Sequence, residues 1–180
     1  MTCIVGLVDN GKVYIGGDSA GCAGYDVRIR EDQKVFRNGN MVFGFTTSFR
    51  MGQLLQYCLN IPDHDPRLDD FKYLCTDFMD AVIKCFKDKG FATIEDGTVV
   101  GGQFLLGYKG KLYYVGDDFQ VGKDIDGFDS VGCGMYYAKG AMAILYKDST
   151  LTAEEKIIKT LTTVAEYSAG VAGPFNIVSI

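Results

Sequence analysis

The 180-residue sequence predicts an α+β fold, two antiparallel sheets lying between helical layers, as one domain over residues 1–180. Three observations lead there. Short β-prone runs joined by tight-turn residues open the chain, stretches of helical periodicity fill its middle and later parts, and further β-prone runs lie between and after them. With 47% hydrophobic side chains the chain can bury one sizeable core. No repeat, low-complexity tract or linker divides it.

Cys3 to Val8 and Val13 to Ile15 read as strands joined through Asp9-Asn10-Gly11, whose Asn-Gly pair suits a hairpin turn needing positive φ. Val27 to Phe36 alternates in part, with Val27 and Ile29 on one side and Arg28 and Arg30 on the other; it turns at Asn38-Gly39-Asn40 and returns through Met41 to Thr46. Ser48 then serves as N-cap to a helix carrying Met51, Leu54, Leu55 and Cys58, stopped by Pro62. Leu68, Phe71, Leu74, Cys75, Phe78, Met79, Val82, Cys85 and Phe86 trace one face of a long helix ending at Gly90. Strands resume at Gly102 to Tyr108, turn at Lys109-Gly110-Lys111 and return through Leu112 to Val115, with a shorter strand around Ser130 to Cys133. Two helices follow, Met135 to Tyr146 and Ala153 to about Ala169, the second opened by Thr152 and Glu155 as a capping box and burying Ile157, Leu161, Val164 and Ser168. Phe175 to Ile180 is a closing β-branched strand.

Composition removes several functions. Eighteen Lys and Arg against 23 Asp and Glu leave a net charge of −5, a poor footprint for a phosphate backbone, so no nucleic-acid partner is expected. Six cysteines lie scattered without a C-x-x-C pair and read as reduced intracellular thiols, mostly core filler. The uncharged run Tyr167 to Ile180 is too short and too rich in Gly and Pro to cross a bilayer, and no export signal opens the chain. A cytoplasmic protein with no membrane partner is the expectation. The single histidine, His64, sits between Asp63 and Asp65 in a Pro-bounded loop and reads as an exposed surface residue. One imidazole excludes multi-His metal sites and leaves little from which to build a His-based dyad. Any catalytic base is then another group.

Thr2 offers one. With Met1 removed it carries a hydroxyl and a free α-amine, which titrates at about 7.7–8.0 and can take the hydroxyl's proton without an imidazole. Such a device needs a nearby cation to hold down the amine pKa, and a carboxylate to hold that cation. Asp18, in Gly16-Gly17-Asp18-Ser19 at the end of the second strand, and Lys34 lie where adjacent strands would bring them to the first. Taken singly, each has a plainer use: Asp18 as a turn former, Lys34 as a solvated edge charge, Cys133 as a packed small residue.

These residues also carry a resemblance. The opening Met-Thr-Cys-Ile-Val-Gly, Gly16-Gly17-Asp18-Ser19, the Lys34-Val35 pair, Val131-Gly132-Cys133-Gly134 and Leu151-Thr152-Ala153-Glu154-Glu155 resemble the N-terminal-nucleophile hydrolases of the proteasome β-subunit family, and within it the bacterial HslV-type peptidases. The likeness touches both ends of the chain and is weakest from Pro62 to Gly97. It implies a four-layer αββα sandwich and threonine-type peptide hydrolysis, with Thr2 as nucleophile and amine base, Lys34 lowering the amine pKa and Asp18 orienting Lys34. It places the oxyanion donor at the Thr47 N–H, and Phe45 and Phe49 beside an apolar specificity pocket. It implies homo-oligomeric rings, an AAA+ ATPase unfoldase as partner, and peptide or unfolded protein as substrate. No cofactor is required; a structural sodium or magnesium ion would map to the main-chain carbonyls of Ala165, Ser168 and Val171.

Two positions depart from the family pattern. Cys133 stands where the family's site serine belongs, exchanging a good hydroxyl donor for a weak thiol. Thr47 stands where glycine is usual, so its side chain crowds an approaching substrate strand. A retained Met1 would also bury the Thr2 amine in a peptide bond. These features keep two alternatives open, a catalytically inactive proteasome-like assembly or decoy subunit, and an amidase of the same chemistry acting on a small-molecule amide.

Overall fold

Asn10 and Gly11 both take positive φ, 49° and 75°, so the two residues between strands β1 (Cys3–Asp9) and β2 (Lys12–Gly17) form the tight hairpin expected of an Asn-Gly pair. The computed structural model describes residues 1–95 and 98–180. After β2 the chain makes a small hairpin, β3 (Ala20–Ala23) against β4 (Asp26–Ile29), then β5 (Val35–Asn38) and β6 (Met41–Phe45). The single strand expected over Val27 to Phe36 is therefore two, and the break between them frees Lys34 to turn inward.

Helix α1 (Phe49–Tyr57) opens at Ser48, whose hydroxyl accepts the Arg50 N–H. The long helix expected to end at Gly90 is one rod in three segments, α2 (Asp70–Tyr73), a π-helical turn at Leu74–Phe78, and α3 (Met79–Asp88). Hairpin β7 (Thr93–Glu95) and β8 (Thr98–Val100) follows, then β9 (Phe104–Tyr108), β10 (Lys111–Val115), the short β11 (Val121–Gly122) and β12 (Phe128–Gly132). Helices α4 (Met135–Leu145) and α5 (Ala153–Tyr167) come next, and β13 (Asn176–Ser179) closes the chain. The capping box at α5 is present in both directions: Thr152 Oγ1 accepts the Glu155 N–H, and Glu155 accepts the Thr152 N–H at 2.8 Å.

The fold is mixed α+β. The larger sheets run β12-β1-β2-β13 and β11-β10-β9-β6-β5, antiparallel throughout. Every residue from Cys3 to Leu7 is buried, because β1 is covered on both faces. Cys3, Val5 and Leu7 pack with Ile157, Leu161 and Val164 of α5, while Ile4 turns the other way to join Val13, Ile15, Val42 and Leu105 between the two sheets. The outer face of the second sheet supplies Met41, Phe43, Phe45, Phe104 and Leu106 to a third core completed by α1 and the α2–α3 rod. Phe36 stacks on Phe43 there at 5.2 Å between ring centres. Burying side chains of this kind contributes roughly 1.5–3 kcal/mol each and fixes the sheets against one another, which is what brings the ends of β1, β2, β6 and β12 to one place.

Candidate active site

Antiparallel pairing sets Ile4 opposite Gly17 and Cys3 opposite Gly132, so Thr2 lies between the end of β2 and the end of β12. Gly132 has φ 99°, and a Cβ there would collide with the Thr2 carbonyl oxygen. Glycine at this position lets the two backbones close on each other.

Asp18 leaves β2 fully buried. Its Oδ1 accepts the Cys3 N–H at 2.9 Å and its Oδ2 the Ala20 N–H at 3.0 Å, which lock the carboxylate. Lys34, 1% exposed, points into the same space from just before β5. Its Nζ donates to Asp18 Oδ1 at 2.9 Å, to the Ala20 carbonyl at 2.6 Å and to Thr2 Oγ1 at 2.9 Å. All three ammonium protons are thereby used, one of them on the Thr2 hydroxyl. Lys34 is thus no solvated edge charge, and Asp18 is no mere turn former. A fully buried ammonium survives only with such partners.

Around Thr2 the contacts continue. Its hydroxyl donates to the Met1 carbonyl at 2.5 Å, and its N–H donates to Cys133 Sγ at 3.3 Å. Cys133 returns a hydrogen bond to the Thr2 carbonyl at 3.4 Å and lies 3.8 Å from Ser168 Oγ. It is exposed and turned to the site rather than packed in the core. Of the six free cysteines Cys3 is buried in the core and Cys58 and Cys85 are half-buried against it, whereas Cys22 is half-buried at the site and Cys75 and Cys133 are exposed, so the reading of these thiols as core filler holds for three of them. Burial pushes the Cys3 thiol up to about 12, with the Ser130 hydroxyl pulling the other way.

Met1, Thr2, Cys22, Phe45, Thr47 and Phe49 border a small cleft of about 60 Å³, together with Thr46 and Ser48. Phe45 and Phe49 meet edge to face, 5.7 Å apart, so both expected pocket residues do reach the cleft. The Arg30 guanidinium lies 3.7 Å from the centre of the Phe49 ring and is paired with Asp32, whose carboxyl its hydrogen bond holds below the usual carboxylate range. Alternation sets Arg30 with Arg28 on the side opposite Val27 and Ile29, and no sequence signal ties it to Phe49.

Thr47 lies one residue before the N-cap of α1, outside the helix proper, with φ 69°. A β-branched residue in the left-handed region is strained, consistent with a position that suits glycine. Its Oγ1 accepts the Gln103 N–H at 3.3 Å, and among the described residues no acceptor takes its own N–H.

Ala165 lies in the last turn of α5, Ser168 caps it and Val171 follows in the loop; the Ser168 carbonyl accepts the Val171 N–H at 3.0 Å. Among the described residues no cluster of three metal-ligating side chains occurs. His64, expected to be exposed, is half-buried instead: it stacks on Tyr73 at 4.3 Å and bonds the Tyr108 hydroxyl and the Leu68 carbonyl. Its partners Tyr73 and Tyr108 belong to the core on the helical side of the second sheet, apart from the Thr2, Asp18 and Lys34 cluster.

The two sheets, their flanking helices and this terminus define a fold of the HslV and proteasome β type. Solved structures that share it include BPH from Thiobacillus denitrificans in complex with epoxomicin, with TM-score 0.82, 19% identity and coverage of 99% of this chain and 98% of that one. A second structure of the same BPH aligns at TM-score 0.82 and 20% identity over 99% and 97%. Eukaryotic HslV from Trypanosoma brucei aligns at TM-score 0.70 and 16% identity over 99% and 98%. At these identities the shared property is the fold. No protein-family model and no curated protein matches the chain. No helix among the described residues is long and apolar enough to cross a membrane.

Proposed function

We propose that this chain is a threonine-type peptidase that acts through Thr2 once Met1 is removed. The observation that carries the reading is the buried Lys34 ammonium, 2.9 Å from Thr2 Oγ1 and held by Asp18. Such a cation favours a neutral α-amine and a more acidic hydroxyl beside it. Thr2 Oγ1 attacks the substrate carbonyl carbon while its proton passes to the α-amine. The Thr47 N–H donates to the oxyanion. The α-ammonium then returns the proton to the departing amine as the C–N bond breaks, leaving a threonyl ester that water hydrolyses by the same route. No step calls for a cofactor.

Met1 borders the cleft and takes the Thr2 hydroxyl's hydrogen bond, so its removal widens the site as well as freeing the amine. Cys133 supports the Thr2 amine, and Phe45 and Phe49 give the cleft a tight apolar wall. The three cores, helix on sheet, sheet on sheet and sheet on helix, support a four-layer αββα sandwich in one domain. A sodium or magnesium ion on the Ala165, Ser168 and Val171 carbonyls would be structural, using the lone pair that Ser168 keeps after its bond to Val171. Kinship in fold with HslV supports a ring-forming homo-oligomer fed by an ATPase unfoldase. The exposed Tyr136, Tyr137, Ile144 and Tyr167 of α4 and α5 are apolar surface that assembly would cover.

The test is hydrolysis of unstructured peptides by chain lacking Met1. Activity is expected, and Thr2→Ala should abolish it; a processed chain inert towards every peptide and amide would refute the assignment.

A further inference from the structure

We propose that the cleft beside Thr2 selects substrates with a small side chain, of alanine size, on the acyl side of the scissile bond, and that Arg30 is the positioning residue that sets this selectivity by holding Phe49 in place. This deepens the peptidase reading given above and rests on it.

Two rings keep the cleft small. Its volume of about 60 Å³ compares with roughly 300–1,000 Å³ for pockets that take whole ligands, so it has room for a short side chain and little more. Phe45 is the fixed wall. Its ring lies against the backbone of α1 at Gly52, where an added Cβ would collide with three of the ring carbons, so the missing side chain there lets Phe45 stand where it does. With 4% exposure and Phe36 behind it in the core, the ring has nowhere to retreat.

Phe49 is the wall that could give way, since it is half-buried on the first turn of α1 and a swing of its side chain would widen the cleft. Three groups oppose that swing. Phe45 meets the ring edge to face at 5.7 Å, the Lys34 ammonium lies 5.7 Å from the ring centre, and the Arg30 guanidinium lies 3.7 Å from it. The guanidinium is itself fixed. Asp32 accepts from Arg30 Nε at 2.7 Å and from Nη2 at 2.6 Å, and the Arg30 N–H donates to the Ser19 carbonyl at 2.9 Å. Gly21 of β3 gives the Arg30 stem its path, because a Cβ there would stand 2.9 Å from Arg30 Cδ and 3.5 Å from the Phe49 ring. With its fork already on a carboxylate, Arg30 braces Phe49 and does not serve as a receptor for an acidic side chain. A single misfitting methylene in an apolar pocket is worth roughly 10–200-fold in specificity. Leucine exceeds alanine by a whole isopropyl group.

The experiment compares kcat/KM of protein lacking Met1 on three peptide coumarin amides that differ only in the residue before the coumarin, which is alanine, leucine or aspartate. Alanine should exceed each of the others by roughly tenfold or more. In Phe49→Ala and in Arg30→Ala the alanine-to-leucine ratio should fall by roughly fivefold or more. Asp32→Ala, which removes a solvent-exposed partner and leaves the core untouched, should shift the ratio the same way by a smaller factor. A variant that merely folds less well loses all three substrates together and keeps the ratio. Three results would overturn the inference: leucine or aspartate cleaved as well as alanine by the parent, a ratio unchanged in Phe49→Ala, or a ratio unchanged in both Arg30→Ala and Asp32→Ala. A parent inert towards all three peptides sinks the peptidase reading and the selectivity with it, whereas hydrolysis without a preference for alanine sinks the selectivity alone.

Discussion

Truncating Asp18 to Ala tests the electrostatic centre of the site. The carboxylate, 0% exposed, accepts three hydrogen bonds of 2.9–3.0 Å, from the Lys34 ammonium and from the Cys3 and Ala20 N–H groups. Its removal leaves a nearly fully buried ammonium with only Thr2 Oγ1 and the Ala20 carbonyl, and strands two backbone donors. Breaking one side of a buried ion pair costs about 3–5 kcal/mol, a large share of the roughly 5–15 kcal/mol that holds a typical domain together. With a urea slope of roughly 2 kcal/mol per molar, the unfolding midpoint should fall by about 1.5–2.5 M. Urea unfolding followed by circular dichroism reads it directly. Asp88→Ala serves as control, since the Lys84–Asp88 pair is 75% and 56% exposed and should show no measurable loss. If Asp18→Ala costs less than about 1 kcal/mol, the range of a solvated pair, the buried-pair argument is wrong.

Two further outcomes follow from single residues. Thr47→Gly releases about 1–2 kcal/mol of left-handed strain and loses about 0.5–1 kcal/mol to chain flexibility, whereas Thr47→Ala keeps most of the strain; both lose the Gln103 hydrogen bond. The Gly variant should therefore be about 0.5–1 kcal/mol the more stable in thermal or urea unfolding, and the reverse order would show that φ 69° carries no strain. Cys3 concerns alkaline pH. Its thiol is raised from 9.0 to about 12 in the fold, so the unfolded chain deprotonates first. This contribution to stability is complete below about pH 9 and is lost as pH rises toward 12, by up to about 1.4 kcal/mol per pH unit. Cys3→Ala should flatten the decline in stability between pH 9 and 11; parallel slopes for variant and parent would count against it.

Local signals in the sequence carried far. Asn10-Gly11, Ser48 and the Thr152/Glu155 box each formed the turn or cap their chemistry dictates, because these are short-range backbone effects. Thr2, Asp18 and Lys34 meet because β1 and β2 pair in register and Lys34 lies in the irregular stretch between β4 and β5. What stayed hidden depends on tertiary placement. Ala-Gly-Cys-Ala lacks the alternation that announces a strand, so β3 and the Ala20 carbonyl that anchors Lys34 left no trace. The π-helical turn obeys nearly the same spacing as an α-helix and was indistinguishable from it. His64 sits in a polar loop, and only the fold lays its ring on Tyr73. Arg30 over Phe49 is likewise a contact between segments that no periodicity foretells.

The most direct measurement is the intact mass of freshly purified native protein, with and without epoxomicin, the ligand of the BPH neighbour, followed by peptide mapping. If Thr2 is the nucleophile, the chain has lost Met1 and gains one equivalent of the inhibitor, mapped to Thr2 and absent in Thr2→Ala. A chain that has lost Met1 and yet takes up no inhibitor at Thr2, or one that keeps Met1 in every native preparation, would contradict the assignment of Thr2 as the catalytic residue.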